Sequence, residues 1–341
     1  MLHFDSDYME GAHPKIIERL VRTNPEQTPG YGTDEYCESA KEKIKAACGI
    51  PDGEVYFLVG GTQTNATVID SLLPPYGGVA AAYTGHIAVH EAGAVEASGH
   101  KVIALPDRDG KLTPQTLKDY LVSFHSDPSK DHMVYPGMVY ISHPTEKGTL
   151  YTSDELAGLN EICNEYDIPL YLDGARLGYA LVTEGTDITL PFIAENTDVF
   201  YIGGTKVGAL FGEAVVVPRK GILKHFTTMI KRHGGLLAKG RLIGIQFDTL
   251  FTDNLYFEIS KHALKMASIL EQGFISKGYK MMYGAPSNQK FVLMDNETIE
   301  KLREKATFEF WEKYDNDRTV VRFVTSWATR EEDVRQLIDL L

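Results

Sequence analysis

Several absences narrow what this chain can be before any motif is read. Its 341 residues hold only three cysteines. Cys37, Cys48 and Cys163 are an odd number at spacings that match no zinc pattern, so neither a disulfide framework nor a structural metal is expected. They read as buried thiols in a reducing compartment. No window approaches the roughly 18 consecutive apolar residues of a membrane span. The opening MLHFDSDYMEG is acidic and lacks the basic flank and apolar run of a secretory signal, so a cytoplasmic location is expected. Basic side chains are in deficit, 34 Lys and Arg against 47 Asp and Glu, for a formal net charge of -13. That balance argues against broad binding to nucleic acid or anionic membrane, both of which need a basic surface. Neither a Walker pattern nor a GxGxxG opening a βαβ unit occurs, which leaves a nucleotide-binding reading without a motif. Internal repeats and low-complexity segments are missing as well.

What is present is an ordinary globular composition, 43% hydrophobic and 24% charged, in a chain long enough for two domains. Residues 1–35 are polar and turn-rich around one short helix, PKIIERLVRT, and read as an arm laid over something larger. From there to about residue 246, short apolar runs alternate with glycine turns and helical patterns, as in an α/β sheet domain. From residue 247 a long helical pattern, FDTLFTDNLYFEISKHALKMASILEQGFISKG, is followed by the short strands YKMM, KFVLM and TVVRFVTSW. This second segment, 247–341, is expected to be a smaller α+β domain packed on the first.

Two strands organise the first domain. Ile168–Leu172 is a short apolar run of the kind buried in a parallel sheet, and it delivers Asp173 to the strand's carboxyl end. Val199–Ile202 repeats the pattern, and the turn Gly203-Gly204-Thr205 brings Lys206 to the same edge, where open α/β sheets gather ligands. An acid and an amine so placed suit pyridoxal phosphate: Lys206 would bond to the aldehyde, and Asp173 would keep the pyridine nitrogen protonated. The Thr205 hydroxyl suits a phosphate oxygen. Upstream, Gly60-Gly61-Thr62 opens a helix at about Gln63, whose free amides and positive dipole end form an anion site, with Gly61 and Thr62 as donors. His86 follows another strand, GGVAAAYTGH, and offers a flat ring that titrates near neutrality; the next stretch, IAVHEAGAVEASG, reads as a helix. Arg322 lies inside the apolar strand TVVRFVTSW, a costly place for a cation unless an anion satisfies it.

LDGAR at 172–176, followed by GGTKVGALFG at 203–212, resembles the L-threonine aldolase branch of the fold-type-I pyridoxal-phosphate enzymes. Gly61-Thr62-Gln63-Thr64-Asn65 fits the family's Gly-Thr-x-x-Asn, and His86-x4-Glu91-Ala92-Gly93 is similar to the segment of its cofactor-stacking histidine. The resemblance implies the fold-type-I architecture and retro-aldol cleavage of a β-hydroxy-α-amino acid to glycine and an aldehyde. It implies that Arg322, Arg176 and Ser6 hold the substrate carboxylate. The family's Glu-Asn-Thr-His loop is replaced here by Ser142-His143-Pro144-Thr145, so the acceptor of the hydroxyl proton stays open between His86, His143 and a water held by either. Lys231 or Arg232, in a basic stretch between Lys224 and Arg241, is implied to reach a neighbouring subunit's cofactor in a homodimer or homotetramer. A β-eliminating lyase, an aminotransferase and a binding protein without turnover are the alternatives on the same scaffold, because the reaction follows from which substrate bond stands perpendicular to the ring.

Overall fold

The computed structural model describes residues 1–341. After the two-residue strand β1 (Leu2–His3) in the arm, seven strands form the central sheet: β2 (Glu54–Leu58), β3 (Gly77–Ala82), β4 (Lys101–Leu105), β5 (Tyr135–Ser142), β6 (Leu170–Asp173), β7 (Val199–Gly203) and β8 (Glu213–Val217). Their order is β2-β8-β7-β6-β5-β3-β4. Only β8 runs against its neighbours; the rest are parallel. β3, β6, β7 and β8 are buried along their whole length, the state of strands covered by helices on both faces, which explains why they read as continuous apolar runs rather than alternating ones. Successive residues of β3 serve opposite faces: Ala80 and Ala82 join one core cluster, Val79 and Ala81 another.

Local signals place most of the helices. Asp34 caps Glu35–Cys48 by accepting from the Cys37 N–H, and Gly49 closes that helix at φ 69°. Thr113-Pro114 starts the helix Pro114–Ser126, with the threonine hydroxyl accepting from the Thr116 N–H. Two stretches expected as single helices are broken. Residues 86–97 form His86–Val89 and Ala94–Ala97, separated where Ala92 and Gly93 take φ 51° and 74°. The long pattern after residue 246 divides into Arg241–Leu250 and Leu255–Ser276, with Asp253 and Asn254 both at positive φ between them. In each case left-handed residues interrupt a hydrophobic period that by itself favours continuity.

The second sheet contains β9 (Lys280–Met281), β10 (Gln289–Asp295), β12 (Glu309–Lys313) and β13 (Arg318–Val324), antiparallel in the order β12-β13-β10-β9. β11 (Ala306–Thr307) pairs in parallel with β1. Neither β11 nor β12 was legible in the sequence, because β12, EFWEK, alternates weakly and lies exposed at the edge. Core membership changes within the helix Leu255–Ser276: Ala263 packs in the large core, Met266 in the small one, which also takes Leu2 and Phe4 of the arm. No helix is long and apolar enough to cross a membrane.

Candidate active site

The carboxyl ends of the parallel strands converge on a cavity of about 260 Å³ whose lining includes Gly60, Gly61, His86, Asp173, Thr205 and Lys206. A second cavity, about 350 Å³, adjoins it and carries Arg176 and Arg322; Tyr8, His86, Glu146 and Lys206 line both. The sheet thus brings together residues more than 140 positions apart in the chain, Gly60 and Lys206 among them.

Close packing explains the glycines. A Cβ on Gly203 would stand 2.2 Å from the Ala175 carbonyl oxygen, and one on Gly174 would stand 2.1 Å from that of Tyr201, so β6 and β7 approach at their ends only without side chains. The turn carrying Lys206 is fixed by hydrogen bonds from the Gly204 N–H to the Gly212 carbonyl at 3.0 Å and to Glu213 Oε2 at 3.1 Å. Burial lowers the pKa of the Lys206 amine, and the nearby Arg176 charge lowers it further, against the opposing pull of Asp7, Glu146 and Asp173. Glu213, buried at the start of β8, is pushed up to about 8 by desolvation. Both directions favour uncharged groups, and a neutral amine is the nucleophilic form of lysine.

Asp173 is held from both oxygens. Oδ2 accepts from Tyr140 Oη at 2.6 Å and Asn65 Nδ2 at 2.9 Å, and Oδ1 accepts from the Ala175 N–H at 3.0 Å. Asn65 also donates to Glu91 Oε1 at 2.7 Å, the oxygen that lies 2.7 Å from His86 Nδ1. A chain of hydrogen bonds therefore runs from the partly exposed His86 through buried Glu91 and Asn65 to Asp173. Burial alone would lower the His86 pKa; the Glu91 bond and the charges of Glu146, Asp173 and Glu91 outweigh it and raise it. The break at Ala92 and Gly93 directly follows Glu91, the residue that turns inward to this histidine.

The helix Gly61–Leu72 begins on Gly60 without a side-chain cap, so its first amides are free for an anion at the cavity wall. Gly61 lines the cavity, while the Thr62 side chain is exposed. The Thr205 hydroxyl donates to Glu213 Oε1 at 2.8 Å and accepts from the Gly212 N–H at 3.0 Å. Arg176 and Arg322 are both buried. Arg322 Nη1 donates to Gln289 Oε1 at 2.8 Å, Nη2 bonds Glu309, and the buried Nε has no partner. Ser6 and His143 line neither cavity. His143 Nδ1 accepts from the Tyr151 N–H at 3.3 Å, and burial, reinforced by Lys111, presses its pKa down to about 4. Of the two histidines proposed to meet the substrate hydroxyl, the structure brings only His86 to the cavities.

Sequence reasoning passed over Asp7, Tyr8, Glu146, Glu213 and Glu309. Asp7 and Glu213 did leave a signal, an acid beside Ser6 in FDSD and an acid heading the apolar strand EAVVV. The others sit in loops or at a sheet edge, where nothing local marks them.

An amine, a buried carboxylate fixed by three donors, uncapped helix amides and a flat imidazole around one cavity form the donor set that pyridoxal phosphate requires: a bond to its aldehyde, a partner for its ring nitrogen, anchors for its phosphate and a face to stack on. The profile of the beta-eliminating lyase family matches residues 3–306. A solved structure of threonine aldolase from Leishmania major is 40% identical, covers 100% of this chain and 98% of its own, and superposes with a TM-score of 0.96. This chain belongs to the beta-eliminating lyase and threonine aldolase family. As a member of that family it is a pyridoxal-phosphate-dependent lyase. A low specificity L-threonine aldolase of a Pseudomonas species is 29% identical over 98% of this chain and 95% of its own length. An aspartate aminotransferase of Thermus thermophilus, 17% identical with a TM-score of 0.73 and covering 100% of this chain and 90% of its own, shares the fold-type-I architecture.

Proposed function

We propose that this enzyme cleaves L-threonine, L-allo-threonine and related β-hydroxy-α-amino acids between Cα and Cβ, giving glycine and an aldehyde. The observation that carries this reading is the shared rim: Lys206 and Asp173 line one cavity, and Lys206 also lines the adjoining one that holds Arg176 and Arg322. When bound, pyridoxal phosphate supplies an aldehyde for amines and a ring that accepts electrons. The residues that would hold it are the Gly61 and Thr62 amides for the phosphate, with Thr205 and Glu213 nearby, Asp173 as the partner that would keep the ring nitrogen protonated, and Lys206 as the amine for the aldehyde. Arg322 and the Nη1 of Arg176 would grip the substrate carboxylate and so would select the substrate bond that is cleaved. His86, which lines both cavities, would offer its ring as a stacking face and would take the hydroxyl proton directly or through a water. Ser6 and His143 are assigned no direct contact.

We further propose a cytoplasmic homodimer or homotetramer with its sites closed by a neighbouring subunit. Exposed Tyr8, Met9 and Leu210, on the segments that carry the cavity wall and the lysine loop, support an apolar contact there. Lys231, whose Nζ lies 4.9 Å from the Tyr31 ring centroid, and Arg232 are the basic side chains proposed to reach across. The division into residues 1–246 and 247–341 is kept as a functional one, the first carrying the sheet site with Arg176 and the second supplying Arg322.

The protein should show a visible absorption band that borohydride abolishes while fixing the cofactor to Lys206. Lys206→Ala should lose the band and at least ~10³-fold in activity. Threonine should yield acetaldehyde and glycine in equal amounts. Release of 2-oxobutyrate from threonine or pyruvate from serine would replace the aldolase reading with a β-eliminating one, and amino-group transfer to a 2-oxo acid with an aminotransferase.

A further inference from the structure

We propose that Glu309 is a specificity-determining residue that competes with the substrate's own carboxylate for Arg322. The inference rests on the reading of Arg322 as the carboxylate-binding arginine. Glu309 and Arg322 are direct cross-strand partners in β12 and β13, a pairing that puts the two side chains on one face of the sheet. The partners differ sharply in access. The Arg322 side chain is 8% exposed and tied to Gln289, whereas that of Glu309 is 42% exposed on the edge strand. The guanidinium is therefore a fixed socket, and Glu309, already reached by water at the cavity rim, can let go of it at little cost. The Trp311 ring lies under the guanidinium, 5.4 Å from ring centroid to Cζ.

The socket is incompletely used. Glu309 takes one Nη2 bond, while Nε, buried, carries an unpartnered N–H. A planar carboxylate that takes the place of Glu309 can engage the Nε and Nη2 donors together, the two-bond geometry that guanidinium groups favour. Glu309 is thus a weaker internal ligand that a stronger external one displaces. Once displaced, it stays at the cavity beside Glu146, and these two carboxylates repel a second acidic group on the substrate. The site is accordingly tuned to β-hydroxy amino acids with neutral side chains and against those whose side chain ends in a carboxylate.

The holoenzyme and its Glu309→Gln variant test this. Glu309→Gln should lower KM for threonine about 3- to 10-fold, as expected for removal of a half-exposed competing ion pair, with kcat within twofold. KM for a β-hydroxy amino acid with an acidic side chain should fall further than that for threonine. A binding readout independent of turnover comes from Trp311, one of two tryptophans in the chain: in a Trp327→Phe background, acetate should change its fluorescence at a lower concentration once Glu309 is Gln. Threoninol, which lacks the carboxylate, should inhibit both proteins equally. Arg322→Ala separates the two ideas. If it raises KM for threonine while Glu309→Gln changes neither KM nor acetate binding, Glu309 is only a structural partner and the proposal is overturned. If Arg322→Ala leaves KM unchanged, the reading of Arg322 itself fails. A rise in KM for Glu309→Gln, with thermal stability unchanged, would also overturn the competition and make Glu309 an organiser of the arginine.

Discussion

The Asp7 carboxylate takes two hydrogen bonds from Arg176, Nε to Oδ2 at 2.8 Å and Nη2 to Oδ1 at 3.1 Å, in an almost wholly buried pair. Asn288 Nδ2 adds a third bond to Oδ2 at 2.9 Å. One acid of the arm thereby joins the strand end after β6 to the segment entering β10. It also orients Arg176, occupying two of its nitrogens and leaving Nη1 for the cavity.

Removing that acid should be costly. Asp7→Ala leaves a buried guanidinium without its counter-charge and is expected to destabilise the protein by ~3–5 kcal/mol, with Asp7→Asn losing less. Burial tends to raise the Asp7 pKa, but the charges of Arg176 and Lys206 with the Arg176 and Asn288 bonds prevail and hold it below the ordinary 3.8. A carboxyl depressed on folding stabilises above its unfolded pKa, and that contribution is withdrawn as pH falls through the folded value. Melting temperatures measured from pH 6 down to 2 should therefore decline less steeply in Asp7→Asn than in the natural protein below pH ~4. Equal stability of Asp7→Ala and the natural protein at pH 7 would show the pair to be dispensable.

The histidine and its carboxylate partner predict a pH profile. If His86 must be neutral to accept the hydroxyl proton, kcat should fall on the acid side with a midpoint above 6.5, since Glu91 and its acidic neighbours raise the imidazole. Glu91→Gln removes a negative partner, so the midpoint should move to lower pH while the plateau rate changes little. His86→Asn should abolish that limb and reduce the plateau about 10²-fold or more. A limb that stays in place in Glu91→Gln would assign it to another group.

Glu213 gives the opposite stability sign from Asp7. Its folded pKa of about 8 lies above the 4.5 of an unperturbed glutamate, because burial disfavours the charged form. Its contribution to stability is complete below the unfolded value and is lost as pH rises through the folded one, since the unfolded chain gives up the proton first. Glu213→Gln, which cannot ionise, should match the natural protein near pH 4.5 and become progressively more heat-stable than it toward pH 8, both with and without pyridoxal phosphate. A difference in melting temperature that does not vary with pH would rule out titration at this residue.

The sequence by itself determined the sheet and its chemical edge. Continuous apolar runs marked the buried strands, glycines marked the ends that must pack closely, and Asp173, Lys206 and Gly61, which line one cavity, each lie at or within a few residues of a strand's carboxyl end. Local signals of that kind are written in neighbouring positions, so periodicity and turn chemistry can read them. Only the tertiary structure decided which polar groups meet. That Asp7 is buried against Arg176, 169 positions away, that Glu91 turns in to His86, that Glu309 lies on the arginine at 322 and that His143 faces protein rather than cavity all depend on long-range packing. Desolvation by that packing, and not residue type, makes Glu213 a weak acid and Lys206 a weaker base.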